Sequence, residues 1–183
     1  MLKKITLLLA LIVTFSLVSC SGGKSESKTD SAAVESKFIF TAYDTKGTKR
    51  STDEWIGKKG VVINFWGTWC PPCRMEIPDL VKLYNEYKMK DIEIIGVAIN
   101  DKPYQVEQFA ANNGMDWVML IGDVEIAQKF EISSVPTTIF IDKDGKVMPV
   151  FDPVLQGIAP QFKGAKNYET FKKAFEELAD KVN

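Results

Sequence analysis

The 183-residue sequence predicts an α/β domain built on a mixed central sheet with helices on both faces. The first observation is an alternation of apolar, β-branched runs with segments of helical periodicity, which is typical of parallel strands joined by helices. The second is the turn sequence DKDG (Asp142–Gly145), flanked by two apolar runs, which indicates an antiparallel hairpin. Parallel and antiparallel strands are therefore expected in one sheet.

The first predicted elements are a β-hairpin, a single helical turn, a buried strand and a long helix. FIFTAY, DTKGT and KRST form the hairpin over residues 38–52, and STDE (Ser51–Glu54) fits a capping box. Val61–Trp66 is apolar, β-branched and bounded by glycines, so it is expected as a buried strand. Apolar residues then recur at helical spacing from Pro72 to about Lys88.

A second buried strand is predicted at Ile92–Ile99, after which Asp101 is expected to cap a helix with Pro103 in its first turn. The later elements are expected at 117–120 (strand), 123–130 (helix), 137–141 and 146–151 (strands that flank the hairpin turn) and 167–181 (helix).

The N-terminal region has the pattern of a secretory signal. Lys3 and Lys4 precede an uncharged apolar run that is too short for a confident membrane span. The run ends in LVSC (Leu17–Cys20), which resembles the lipobox of bacterial lipoproteins. The resemblance implies a signal peptide over residues 1–19, cleavage before Cys20 and lipid attachment to the Cys20 sulfur. A plain cleavable signal or an uncleaved helix is the alternative.

Residues 20–37 are polar, rich in small side chains and free of aromatics, which predicts a flexible tether. Residues 38–183 carry nearly all the aromatic residues and form the predicted folded domain. The formal net charge is −1, and the sequence has no basic stripe of the kind that nucleic-acid binding needs. We expect no nucleic-acid partner, and a monomer.

The absence of histidine excludes several kinds of site. Neither a serine–histidine triad nor a cysteine–histidine dyad can form, and no imidazole is present to bind a metal. The sequence has three cysteines, and lipidation of Cys20 would leave only Cys70 and Cys73. A structural zinc site needs four ligands, usually cysteine or histidine, so we expect no metal.

The motif CPPC (Cys70–Cys73) lies where the first buried strand gives way to the long helix. Unpaired N–H groups and the helix dipole stabilise a thiolate at that position, which lowers the pKa of Cys70 from its free value of about 8.5. Only the thiolate attacks disulfides, and Cys73 is the natural resolving partner one turn later. Pro71 and Pro72 lack N–H donors, so we expect Cys70 to be only moderately acidic, as suits a reductant.

FWGTWCPPC (65–73), followed by VPTT (135–138), resembles the thioredoxin superfamily and, within it, the TlpA/ResA-like membrane-tethered thiol–disulfide oxidoreductases. The resemblance covers about Phe38–Met148, including the N-terminal β-hairpin and a central helix–strand insertion around Pro103–Leu120. It implies a thioredoxin-like fold with Cys70 as the nucleophile and Cys73 as the resolving cysteine. Their redox-active disulfide would then be the reacting group, with no other cofactor.

The resemblance also assigns a third catalytic residue. Glu76 shares a helix face with Cys73, and it matches a partly buried glutamate that takes or relays the proton of the resolving cysteine. The alternative is an acid that the helix dipole favours in the first turn. Asn64 stands where thioredoxins proper carry a buried aspartate, and an ordinary hydrogen-bonded polar residue within a strand explains it equally well.

Substrate binding is expected around the nucleophile. The superfamily's V-P-T loop implies a cis Val135–Pro136 bond that presents the Val135 backbone to an extended substrate segment, whereas an ordinary loop proline is the alternative. Trp69 is expected at the groove rim, and Trp66 is expected in the core. The predicted substrate-binding residues are Trp69, Pro71, Pro72, Val135 and Pro136.

One segment departs from the family pattern. Where a short glycine turn into the last helix is expected, the chain carries DPVLQGIAPQFKGAK (Asp152–Lys166), here called the 152–166 insertion. Loops of this length are often functional or mobile. Recognition of a partner and plain surface decoration are the two interpretations that the sequence leaves open.

These features predict an extracytoplasmic, lipid-anchored enzyme that reduces disulfides in exported proteins. The resemblance implies a membrane electron donor of the DsbD/CcdA kind and apocytochrome c as a substrate, in the periplasm if the bacterium is Gram-negative. A dithiol oxidant or isomerase and a non-enzymatic thioredoxin-like binding module are the alternatives. A peroxiredoxin-type peroxidase would need threonine where Gly67 stands, and copper-binding relatives use a histidine that this chain lacks.

Overall fold

The computed structural model describes residues 38–182. The predicted signal peptide (1–19), the lipidation site Cys20 and the tether (20–37) lie outside these residues. The described strands are β1 (Thr41–Asp44), β2 (Lys49–Ser51), β3 (Gly60–Trp66), β4 (Ile92–Ile99), β5 (Val118–Gly122), β6 (Thr137–Ile141), β7 (Val150–Asp152), β8 (Gly157–Ala159) and β9 (Phe162–Lys163). The α-helices are α1 (Pro71–Tyr87), α2 (Pro103–Asn112), α3 (Val124–Lys129) and α4 (Tyr168–Val182).

The central sheet has seven strands in the order β2-β1-β5-β4-β3-β6-β9. Strands β3, β4 and β5 are parallel. Helix α1 connects β3 to β4 and α2 connects β4 to β5, and each returns the chain to the end of the sheet where the preceding strand began. The remaining strands of this sheet join it antiparallel. The predicted mixed sheet is therefore confirmed.

Strand β3 is buried along its whole length, and its side chains alternate between the two faces of the sheet. Val62 and Trp66 belong to the core cluster that α1, α2 and α4 cover. Val61, Ile63 and Phe65 belong to a second cluster on the opposite face, which is closed by the N-terminal segment and by Ile126 of α3 with Phe130. The prediction of helices on both faces is confirmed.

The N-terminal hairpin pairs Thr41 with Ser51. The predicted capping box forms directly after β2, and in it the Ser51 N–H donates to the Glu54 carboxylate. Within the described residues, no helix is both long enough and apolar enough to cross a bilayer.

The predicted role of Asp101 as a helix cap is wrong. Lys102 occupies the N-cap position of α2 and makes no side-chain cap. The Asp101 carboxylate instead accepts hydrogen bonds from the backbone N–H and the hydroxyl of Thr68, at 2.6 and 3.0 Å. The Lys102 N–H also donates to Asp101 Oδ1, at 3.0 Å, so the carboxylate joins Thr68 to the residue that precedes α2 instead of capping the helix.

The strand predicted at 146–151 pairs with β6 only in its first half. The DKDG turn forms, Val147 bridges to Ile141, and the Met148 N–H donates to the Phe140 carbonyl at 2.8 Å. Pro149 has no N–H to donate to a ladder, so the pairing ends there. Val150–Asp152 leaves the sheet and pairs with β8 in a separate two-stranded sheet, while β9 takes the open edge of β6.

Candidate active site

Cys70 and Cys73 lie at the junction of β3 and α1. Cys70 is the N-cap of α1, and Pro71 and Pro72 occupy the first helical positions. Since prolines have no N–H, the first helical amide is that of Cys73, and it donates to Cys70 Sγ at 3.2 Å. The Cys70 sulfur therefore receives one backbone donor in spite of the two prolines.

The two cysteines form a disulfide with an S–S distance of 2.09 Å, so the structure represents the oxidised protein. Cys70 is 2% exposed and Cys73 is fully buried. Pro71 and Pro72, by contrast, are exposed beside them. An incoming sulfur can therefore approach only from the Cys70 side of the pair.

Glu76 is buried one turn beyond Cys73 on the same helix, with 2% of its surface exposed. Burial is the main cause that raises its pKa from 4.5 to about 7, because a carboxylate loses hydration there. Two donors partly offset this effect: Asn64 Nδ2 at 3.0 Å from Oε1, and Lys166 N–H at 3.3 Å from Oε2. A carboxyl group that titrates near neutrality is suited to accept and release protons at working pH.

Asn64 joins this carboxyl group to the sheet. Its register places it opposite Thr138 of β6, and its Nδ2 donates to Thr138 Oγ1 at 2.9 Å as well as to Glu76. Both amide protons are therefore engaged, which fixes the side chain in one orientation. The sequence left the role of Asn64 open, and the structure shows that it contacts Glu76.

The Val135–Pro136 peptide bond is cis, as the resemblance implies. The carbonyl oxygen of Val135 lies 3.7 Å from Cys70 Sγ. Val135 is partly exposed and Pro136 is buried beneath it. The backbone of this loop therefore stands next to the nucleophilic sulfur.

Trp69 forms one wall of a groove that runs away from the disulfide. Its side chain is 54% exposed, and its Nε1–H donates to the Ile99 carbonyl at 3.0 Å. The groove has a volume of about 560 Å³, and Val124, Ile132 and Val135 also line it. Trp66, by contrast, is fully buried and packs in the core.

Gly67 gives the Trp69 ring room to lie against the loop. A Cβ at position 67 would come within 2.6 Å of Trp69 Nε1 and 2.8 Å of Cε2, closer than side-chain carbons pack. The position where a peroxiredoxin-type site needs threonine is thus occupied by the tryptophan ring.

Two residues of the site have no signal in the sequence. Lys166 and Asp152 form an ion pair, Nζ to Oδ2 at 3.3 Å, with side chains 3% and 1% exposed. No spacing rule relates residues at the two ends of a loop, so only their location in an atypical segment distinguished them.

Within residues 38–182, no group of three or more cysteine, histidine, aspartate or glutamate side chains is arranged to hold a metal ion.

Comparison with known proteins identifies the family. The AhpC/TSA family matches residues 34–150. The chain is 36% identical over 112 residues to the thiol-disulfide oxidoreductase ResA of Geobacillus kaustophilus, which covers 61% of this chain and 64% of that protein. It is 37% identical over 119 residues to ResA of Halalkalibacterium halodurans, covering 64% of this chain and 67% of the relative. The matched region thus spans about two-thirds of the length of these relatives.

Among solved structures, a secreted disulfide oxidoreductase of Mycobacterium tuberculosis superposes with a TM-score of 0.65 at 19% identity, covering 78% of this chain and 98% of that one. At this identity the likeness establishes the fold, which is thioredoxin-like as predicted. The family match, the two relatives and the shared fold together show that the chain belongs to the AhpC/TSA family and is related to the ResA thiol–disulfide oxidoreductases.

Proposed function

We propose that this protein is a thiol–disulfide oxidoreductase that reduces disulfides in exported proteins. One observation carries the proposal: a disulfide at a helix N-terminus, with a buried carboxyl group of pKa about 7 one turn beyond it. A merely structural disulfide needs no proton acceptor one helical turn beyond its buried cysteine. The relatives named as thiol-disulfide oxidoreductases support the same activity.

The first step uses the reduced form of the pair. The Cys70 thiolate, stabilised by the Cys73 N–H and the helix dipole, attacks one sulfur of a substrate disulfide. The substrate S–S bond breaks as the mixed disulfide with Cys70 forms. The departing substrate sulfur leaves as a thiolate and takes a proton from solvent.

The second step needs a deprotonated Cys73. This cysteine is fully buried, and burial favours the neutral thiol, so a nearby base is required. Glu76 accepts the Cys73 proton, and the new thiolate attacks the Cys70 sulfur. The second substrate sulfur leaves and is protonated, so two electrons and two protons have passed to the substrate. The enzyme is left as the disulfide seen in the structure.

The substrate segment is proposed to lie along the groove beside Trp69. Pro71 and Pro72 give an exposed, rigid surface next to Cys70, and the Val135 backbone supports an extended peptide before the buried Pro136. This arrangement favours protein disulfides over small disulfides as substrates, since its contacts extend well beyond the sulfur atoms.

An extracytoplasmic, lipid-anchored location is part of the proposal. It is supported by the signal-like residues 1–19 with Cys20 at their end and, for a structural neighbour, by its description as secreted. Re-reduction then requires a dithiol donor that supplies electrons across the membrane, of the DsbD/CcdA kind. Apocytochrome c is the specialised substrate to test first.

The central experiment traps the mixed disulfide in cells. Cys73→Ser should accumulate covalent complexes with substrates, because the resolving sulfur is missing, whereas the matched control Cys70→Ser should capture none. Apocytochromes among the trapped proteins would support the specialised role. If the purified, reduced wild-type domain turns over no protein disulfide, the proposed activity is refuted.

Direction and anchoring have separate tests. Equilibration of the pair with glutathione should give a low reduction potential if the protein is a reductant, and a high one if it is a dithiol oxidant or isomerase. Cys20→Ala should release the protein from membranes if Cys20 carries the lipid. Retention of the variant on the membrane would favour an uncleaved helix.

A further inference from the structure

The 152–166 insertion is closed by contact between its first and last residues. The Asp152 carboxylate and the Lys166 ammonium group lie 3.3 Å apart, and both side chains are almost completely buried. Exposed ion pairs such as Lys172–Glu176 on α4 contribute little because water screens them. A buried pair is different, since removing one partner leaves an uncompensated charge.

Every polar atom of the pair has a partner. Asp152 Oδ1 accepts from the N–H groups of Val154 and Leu155, at 2.8 and 3.3 Å. Lys166 Nζ also donates to the carbonyls of Lys163 and Gly164, at 2.6 and 3.3 Å. Burial opposes ionisation of Asp152, but these amides and the Lys166 charge outweigh it and hold the pKa of Asp152 below its ordinary value.

The end of the insertion reaches the active site at three points. Lys166 N–H donates to Glu76 Oε2 at 3.3 Å, and Gly164 N–H donates to the Pro136 carbonyl at 2.9 Å. Phe162 of β9 pairs with Thr138, the residue that accepts a hydrogen bond from Asn64. The segment therefore contacts both the proposed base and the loop beside the nucleophile.

We propose that the Asp152–Lys166 ion pair is a clasp that positions Glu76 and the Pro136 loop, and that both residues are positioning residues for the resolving step. This inference rests on the proposed role of Glu76 as the base. The clasp adds a third interpretation of the insertion to the two that the sequence left open, and it concerns the last residues of the insertion, which contact the active site.

The charges around Glu76 explain how the clasp acts. The Lys166 ammonium group and N–H favour the carboxylate form, and the Asn64 amide does so too. Asp79, on the same helix, opposes it. Cys73, one turn before Glu76 on the same helix, carries a thiol once the disulfide is reduced. If the clasp opens, Glu76 loses a donor and its only attractive cation in the described structure. The carboxylate then forms only at higher pH.

The test starts from a mixed disulfide between Cys70 and thionitrobenzoate. Attack of Cys73 on Cys70 releases the coloured thiol, and the rate of this release, here called collapse, is measured across a range of pH. Asp152→Asn and Lys166→Met should move the midpoint of this profile upward by about one pH unit, so collapse below neutrality slows about tenfold. Formation of the mixed disulfide by Cys70 should be unchanged. Lys172→Met, which breaks the exposed pair on α4, is the matched control and should leave the profile as in wild type.

Loss of one buried partner can also unfold a protein, so a second variant is needed. Asp152→Leu with Lys166→Met replaces the pair by apolar side chains, which proteins usually tolerate, and its folding is checked by thermal unfolding. This double variant should show the same upward shift of the midpoint. The single variant Lys166→Arg keeps the positive charge and should have the wild-type profile. A wild-type midpoint in the folded double variant would overturn the clasp.

The variant Glu76→Gln separates this inference from the proposed function. In that background the clasp variants should have no further effect on the profile, because the group they act through is gone. If Glu76→Gln alone leaves the collapse profile unchanged, the base role fails. If Glu76→Gln alters the profile but the clasp variants, made in the wild-type background, do not, then only the clasp is refuted.

Discussion

Asn64 donates a 3.0 Å hydrogen bond to Glu76 and so connects strand β3 to helix α1, whose N-cap and first turn hold the two cysteines. The strand supplies a rigid, fully buried support, and the helix supplies the sulfurs. The Glu76 carboxyl group is therefore bound by an uncharged amide. Because the Asn64 amide does not ionise, the two groups do not compete for a proton.

Asn64→Asp should move the pH dependence of the resolving step upward. Two carboxyl groups in contact share one proton, so full deprotonation of the pair requires a higher pH than deprotonation of Glu76 alone. We expect the rate of mixed-disulfide collapse at neutral pH to fall by about tenfold or more. Thr138→Val removes only the hydroxyl on the other side of Asn64 and should leave the midpoint nearly unchanged. An unaltered profile in Asn64→Asp would show that Glu76 does not govern this step.

Glu76→Gln should change how the stability of the oxidised protein depends on pH. The pKa of Glu76 is raised from 4.5 to about 7 in the folded state, so the folded protein holds a proton that the unfolded chain has released. The free energy of unfolding therefore falls as pH rises between these values, by up to about 3 kcal/mol. Denaturant titrations at pH 5 and pH 8 measure this loss, and Glu76→Gln should remove most of it.

Glu93→Gln is the matched control for that measurement. Glu93 is half-buried and accepts from Tyr84 at 3.0 Å, and burial raises its pKa as well. It should therefore account for a smaller part of the fall, in the same direction. If stability is flat between pH 5 and pH 8 in the wild-type protein, Glu76 is not buried as a neutral acid.

Trp69→Ala should separate protein substrates from small disulfides. The ring lines the groove, and its Nε1–H donates to the Ile99 carbonyl, so its proposed role is to contact the peptide around the substrate disulfide. We expect kcat/KM for a protein disulfide to fall about tenfold, as for loss of an aromatic contact. The rate with a small aromatic disulfide should change little. Trp66→Phe, a change in the core, should instead lower stability, and equal losses with both substrates in Trp69→Ala would refute the groove assignment.

Local patterns predicted most of the fold, because each element that they identify is determined by residues close together in sequence. The β-branched runs became β3 and β4, the helical spacing after Pro72 became α1, and the last helix lies at Tyr168–Val182. The family and the thioredoxin-like fold are confirmed by the comparisons. The spacing also predicted that Cys73 and Glu76 share one helix.

The incorrect or missing predictions concern contacts between distant segments. Asp101 was expected to cap its own helix, but its carboxylate accepts from two donors on Thr68, a residue 33 positions away in the sequence. The strand predicted at 146–151 leaves β6 at Pro149, which has no N–H for the ladder, and β9 from within the insertion pairs with Thr137 and Thr138 instead. Lys166 lies 90 residues from Glu76 in the sequence, and no periodicity connects them. The catalytic and substrate-binding roles themselves stay predictions.

The Lys166 backbone amide, which donates to Glu76, lies outside the segments that the family motifs describe, and this has a consequence for engineering. Grafting the CPPC helix and the VPTT loop onto another scaffold would transfer the sulfurs and the acid, but not residues 162–166. Such a chimera would keep its nucleophile and still have a mistuned proton acceptor. A functional transplant would need residues 162–166 and also Asn64 of β3 and Asp152, which contact Glu76 and Lys166.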